Sequence, residues 1–252
     1  MKNDAKIALV TGGGTGIGRE AALALQKNRY HVVLAGRRLQ PLEDTIMLGS
    51  KGGPEMLAIP TDISNANQVQ ILFTRLHSSF NRLDLLFNNA GIGTPNVATE
   101  DLTLADWQKT VDVNLTGAFL CAQAAIQIMK QQSPQGGRII NNGSVSAQVP
   151  RPHSVAYTAT KHAITGLTKS IALDGRRHDI ACSQIDIGNA DTAIAAQMKI
   201  GMPQANGENS PEPVIDPAHC GEMVAYIAGL PLDTNVLFMT VMATKMPYVG
   251  RG

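Results

Sequence analysis

Apolar residues along this chain fall in short unbroken runs, and longer stretches with helical spacing stand between them. Residues 7–10, 31–35, 57–59, 83–87, 138–141, 180–187 and 235–242 read as strands. Residues 19–28, 65–80, 103–131, 154–174 and 217–228 read as helices. Short strands that are apolar throughout belong to a sheet covered on both faces. Their alternation with helices predicts an α/β fold: a doubly wound, seven-stranded parallel sheet with helices on both faces. The rhythm breaks between Gly201 and Pro217, a polar stretch carrying Pro203, Pro211 and Pro213 as well. No repeat or linker divides the chain, so residues 1–252 are expected to form a single domain. Residues from about 189 to 217 would then form a lid beside the carboxyl ends of the strands.

Composition narrows the function classes. Of the 252 residues, 44% are hydrophobic and 16% charged, which is globular usage. The net charge of +1 gives no basic footprint for nucleic acid and no membrane-binding surface. No run comes near the roughly 20 apolar residues of a membrane span, and the N-terminus lacks the long apolar stretch of a signal peptide. Cys121, Cys182 and Cys220 are odd in number and widely spaced, so they read as buried thiols in a reducing cytoplasm. No pair of histidines has ligand spacing, and no metal is expected.

Directly after the first strand stands Thr11-Gly12-Gly13-Gly14-Thr15-Gly16-Ile17-Gly18, and then the first helix. Glycines at a strand-to-helix turn let backbone approach an anion, and the helix N-terminus adds unpaired N–H groups and a positive dipole end. The spacing is Gly-x-x-x-Gly-x-Gly, and no Gly-Lys-Ser/Thr follows, which excludes a P-loop. The end of the second strand should select the dinucleotide. A carboxylate there holds the 2′-hydroxyl of NAD, whereas arginine accommodates a 2′-phosphate. The chain reads Ala35-Gly36-Arg37-Arg38, with two planar bidentate donors and no acid. NADP(H) is therefore expected in preference to NAD(H), which remains possible.

Tyr157 and Lys161 are four residues apart in a helical stretch, and so share one face a turn apart. An ammonium beside a phenol favours the phenolate and equips the tyrosine for proton exchange. Ser144 lies 13 residues before Tyr157, just past a strand, where its hydroxyl can hold a carbonyl oxygen. That spacing favours Ser144 over Ser146, which reads as a pocket or loop residue. His153 reads as a loop histidine beside the pocket.

Thr11-Gly-x-x-x-Gly-x-Gly18, Asp62, Asn88-Asn-Ala-Gly91, Asn114, Ser144 and Tyr157-x-x-x-Lys161, in this order, resemble the short-chain dehydrogenase/reductase family over essentially the whole chain. The resemblance implies a Rossmann fold and an oxidoreductase moving hydride between NADP(H) and a carbonyl/alcohol pair. It implies Tyr157 as general acid/base, with Lys161 favouring its phenolate and holding the nicotinamide ribose. Ser144 would polarise the substrate carbonyl, and Asn114 would kink a helix and hold a relay water. Gly12, Thr15, Gly16, Ile17 and Gly18 would cradle the cofactor phosphates, Arg37 and Arg38 the 2′-phosphate, and Asp62 and Ile63 the adenine. Asn89, Ala90 and Gly91 would line the cofactor and ribose, with Gly188 and Thr192 near the nicotinamide. A small-molecule substrate and a homodimer or homotetramer, paired through helices holding residues 117–130 and 157–173, are likewise implied.

The chain departs from that pattern in places. Ile187 stands where the family usually has proline before glycine, residues 181–184 lack its usual Arg-Val-Asn, and no Asp-Gly-Gly turn follows the seventh strand. Two other readings stay open: an NAD-dependent alcohol dehydrogenase of the same fold, and a non-catalytic protein that senses NADP(H). The pocket is expected from residues 92–94, 146–153 and 189–190 and from the lid near Met198 and Met202. It would be mostly apolar, with no polar anchor evident for a substrate.

Overall fold

In a computed structural model, residues 6–193 and 198–249 are described. Strands β1 (Ile7–Thr11), β2 (His31–Gly36), β3 (Met56–Pro60), β4 (Leu85–Asn88), β5 (Gly137–Asn142) and β6 (Ile180–Ile187) alternate with helices. The helices are α1 (Gly16–Lys27), α2 (Leu39–Leu48), α3 (Ala66–Phe80), α4 (Leu104–Val111), α5 (Gly117–Gln131) and α6 (Val155–Asp174). After β6 come a two-stranded antiparallel hairpin, β7 (Met202–Pro203) and β8 (Asn209–Ser210), then α7 (Pro217–Gly229) and β9 (Phe238–Val241). The main sheet has seven strands in the order β3-β2-β1-β4-β5-β6-β9, all parallel. Strand order reverses between β1 and β4, and ligands of open α/β sheets bind at the carboxyl ends beside such a switch.

Alternate strand residues feed two cores. Ala8, Val10, Val32, Leu34, Ile140, Ile185 and Ile187 face α1 and α7. Leu9, Val33, Leu86, Ile139, Ile180 and Cys182 face α3, α5 and α6. Burial pushes the thiols of Cys121, Cys182 and Cys220 up to about 12, which leaves them unreactive packing groups.

Helix α2 and the last strand differ from the sequence expectation. Helix α2 was not foreseen, because Pro41 in its first turn looks like a break and only Leu42 and Thr45 are buried. A proline in that turn disrupts little, since the N–H there has no intrahelical partner. The last strand begins at Phe238 rather than 235. Buried Arg138 explains this, donating to the carbonyls of Leu230, Pro231 and Thr234 and to Asn235 Oδ1, so that the preceding segment is a bound loop. Residues 104–131 form one helix, as expected, but contrary to the sequence reading it is long and apolar enough to cross a membrane by length and composition, with a third of its most apolar window buried. Here it packs on the sheet, its centre a π-helical turn (Asp112–Thr116) that carries Asn114.

Candidate active site

The carboxyl ends of β1, β2, β4, β5 and β6, with the loops after them, surround a cavity of about 490 Å³. At one end lies the glycine turn. Gly12 and Gly16 have φ of +67° and +52°, which an L side chain rarely adopts. A Cβ on Gly18 would stand 2.2 Å from the Gly12 carbonyl oxygen. Arg19 holds the turn open by donating to the Gly14 carbonyl at 2.7 Å. Thr15 is the N-cap of α1 and makes no side-chain cap bond, and it lines the cavity with Gly12, Gly16, Ile17 and Gly18. Bare backbone at a helix N-terminus fits a diphosphate.

Beside this cradle, Arg37 and Arg38 are exposed on the cavity wall, and neither guanidinium makes a hydrogen bond or ion pair among the described residues. Asp62 lines the wall and accepts from Ser64 through both N and Oγ, an Asx turn ahead of α3. Ile63 lines the cavity too, and its side chain packs where a Cβ on Gly117 would fall. Asn89, Ala90 and Gly91 follow β4. Their place is set by Thr11 Oγ1, which accepts from the N–H groups of Asn89 and Ala90, and by Asn89 Nδ2, which donates to the Thr11 carbonyl. Gly188 and Thr192 close the cavity from the β6 side, and a Cβ on Gly16 would meet Thr192 Cγ2 at 2.9 Å. Every residue assigned to cofactor binding from the sequence thus lines this cavity, and the free guanidiniums and bare turn fit a nicotinamide dinucleotide.

The chemical groups gather further along. Tyr157 occupies the third position of α6, and its hydroxyl has no hydrogen-bond partner among the described residues. Lys161, 5% exposed, donates to the Asn142 carbonyl at 2.7 Å and stands 5.5 Å from the Tyr157 ring centroid. Ser144 Oγ accepts from the Ser146 N–H, which leaves its own proton free for an acceptor in the cavity. Ser146 thereby supports Ser144 through its backbone. Asn114 is buried and does not reach Lys161. Its side chain pairs with both backbone groups of Ile92 at 2.8 and 3.0 Å and touches Thr160. Its immediate effect is to fix the loop after β4.

Residues 92–94, Ser146, Arg151, Pro152, His153, Asn189, Ala190, Met198 and Met202 line the remaining volume and Asn96 joins them, whereas residues 147–150 of the expected 146–153 do not. His153 has φ of +58°, a strained conformation at the rim. Of the expected lid, residues 194–197 lie outside the described residues. Of the rest, Asn189, Ala190, Met198 and Met202 line the cavity, and a buried ion pair that the sequence reading missed ties Glu212 to Arg151. Arg151 Nη2 meets Glu212 Oε2 at 2.5 Å, and the side chains are 7% and 1% exposed. Asn189 accepts from Arg151 and donates to Glu212, and Gln204 donates to Glu212 Oε1. Burial alone would raise the Glu212 carboxyl. Hydrogen bonds from Gln204 and Asn189 and the charge of Arg151 outweigh it and hold the group below its ordinary 4.5. Nothing short-range in sequence signals a pair 61 residues apart. The atypical C-terminus also finds its place: Met242 and Met246 fill the space beside Gly188, and Met246 packs with Val145 behind Ser144.

Known proteins with the same features place the site in context. The sequence model of the short chain dehydrogenase family matches residues 6–202. A 3β-hydroxysteroid dehydrogenase of Mediterraneibacter gnavus is 35% identical, over 76% of this chain and 68% of its own. Among solved structures, an actinorhodin polyketide ketoreductase with NADPH superposes with a TM-score of 0.86 at 27% identity, covering 95% of this chain and 97% of its own. A 3-ketoacyl-(acyl-carrier-protein) reductase from Brucella melitensis, complexed with NADH, gives 0.83 at 25%, covering 95% and 98%.

Proposed function

The chain belongs to the short chain dehydrogenase family, and on that premise we propose that it is an NADP(H)-dependent oxidoreductase interconverting a carbonyl and an alcohol, with Tyr157 as general acid/base. One observation carries the reading: Ser144, Tyr157 and Lys161, from two separate elements, line the same cavity as the glycine turn and two unpaired arginines. A bound dihydronicotinamide supplies the hydride. The chain's own groups do the rest. Gly12, Thr15, Gly16, Ile17 and Gly18 would hold the diphosphate, Arg37 and Arg38 the 2′-phosphate, and Lys161 the ribose hydroxyls. Ser144 hydrogen-bonds the substrate oxygen through its hydroxyl and orients the carbonyl. Tyr157 gives that oxygen its proton, helped by the Lys161 charge. Proximity in a largely apolar cavity supplies much of the rate.

The polar anchor that was not evident in the sequence is Arg151, but Glu212 already balances its charge. That favours a neutral substrate over an anion. The exposed Phe119 on α5 and Leu173 on α6 support pairing of copies through these helices, in a dimer or tetramer. The deciding experiment measures NADPH oxidation over diketones, quinones, ketoacyl thioesters, cyclic ketones and aldehydes, with NADH alongside. Tyr157→Phe should abolish turnover while NADPH still binds. An active variant would end the assignment.

A further inference from the structure

Strand β6 is covered on both faces, yet Ser183, Gln184 and Asp186 within it are polar and buried. Gln184 and Asp186 continue the alternation of Ile180 and Cys182 and so point towards α6. They end a file of hydrogen bonds that crosses the carboxyl ends of three strands. Asn88 Nδ2 donates to Asn141 Oδ1, Asn141 Nδ2 to Thr168 Oγ1, Thr168 Oγ1 to Gln184 Oε1, and Gln184 Nε2 to Asp186 Oδ1. Every link runs the same way. Such a file polarises along its length, and an anion is the acceptor best suited to its end. Asp186 Oδ1 also accepts the Ser144 N–H at 3.0 Å. Lys161 of α6 donates to the carbonyl of Asn142, and a Cβ on the next residue, Gly143, would stand 2.0 Å from Asp186 Oδ1, so the ammonium and the carboxylate flank the same turn after β5. The neighbours of Asp186 on β9 and after β5, Thr240 and Gly143, do not titrate. Tyr157 shares the cavity with His153 and with Arg151, which is paired to Glu212.

We propose that Asp186 is a positioning residue of the active centre: it fixes the Ser144 backbone, and its charge opposes that of Lys161 beside Tyr157. The proposal rests on the assignment of Tyr157 and Lys161 above. Burial raises the Asp186 carboxyl above its ordinary 3.8, while hydrogen bonds from Gln184 and Ser144 and the charge of Lys161 work the other way. Above that raised value the carboxylate is charged.

Both donors end on the same oxygen, so Asp186→Asn can keep both bonds and remove only the charge. The phenolate absorbance of Tyr157 is isolated by subtracting the titration of a Tyr157→Phe partner in each background. With the anion gone, Lys161 acts on the phenolate unopposed, and the midpoint should move about half a pH unit towards acid. A midpoint that stays or moves towards alkali overturns the proposal, as does a variant that only melts earlier. Should Asp186→Asn fail to fold, Asp186→Ser is titrated in the same way. The titration needs no substrate. Turnover retained by Tyr157→Phe therefore sinks the oxidoreductase reading separately, and an unmoved midpoint beside an inactive Tyr157→Phe sinks only the role of Asp186.

Discussion

Glu212→Gln tests whether the proposed lid is held by one ion pair. Gln is nearly isosteric but brings one acceptor where Glu212 uses two: Oε2 for Arg151 and Asn189, and Oε1 for Gln204. An amide that keeps the first contact turns its NH₂ against the Gln204 NH₂. The Arg151 guanidinium is left buried without a counter-charge. Removing one partner of a buried pair costs about 3–5 kcal/mol. If the lid unfolds with the core, that lowers Tm by about 6–20 °C in a domain of this size. If the lid detaches alone, Tm holds. Hydrogen exchange at the N–H groups of Glu212 and Ile215, which donate to the Met198 and Asn189 carbonyls, then rises about a hundredfold or more. Thermal melts and exchange mass spectrometry together separate the two outcomes. The folded Glu212 titrates below its unfolded value, so its stabilisation is complete above pH 4.5 and is lost as pH falls through the lower, folded value. The variant should lack that acid limb. Unchanged melting and exchange, or a double-mutant cycle with Arg151→Met showing coupling under about 0.5 kcal/mol, would refute the latch.

Other outcomes follow from the same geometry. Arg37→Ala, removing one unpaired guanidinium, should weaken NADPH binding by about 10- to 150-fold and leave NADH unchanged in fluorescence titrations. Gly18→Ala drives a methyl group into the Gly12 carbonyl, so it should cost about 1–3 kcal/mol of stability and abolish binding of either dinucleotide, read by melting and titration. Phe119→Arg with Leu173→Arg should convert a larger assembly into monomers in light scattering with the monomer still folded, if α5 and α6 pair copies of the chain.

Much of this protein was legible from the chain alone, because its signals are local. An apolar run between turn residues is a buried strand wherever it falls, and helix spacing puts Tyr157 and Lys161 on one face before any tertiary contact forms. The glycine turn and the arginines after β2 are likewise statements about adjacent backbone. Helix α2 escaped because its buried face is only two residues wide, one of them a threonine, and β9 was drawn too long because Arg138, about a hundred residues away, claims the loop before it. What only the folded structure decided is which distant polar groups meet. Arg151 and Glu212, and the file from Asn88 to Asp186, join residues that no periodicity relates. A buried charge or amide must find a partner, and nothing in its own neighbourhood of the chain says where that partner is; sheet order and loop packing supply the answer.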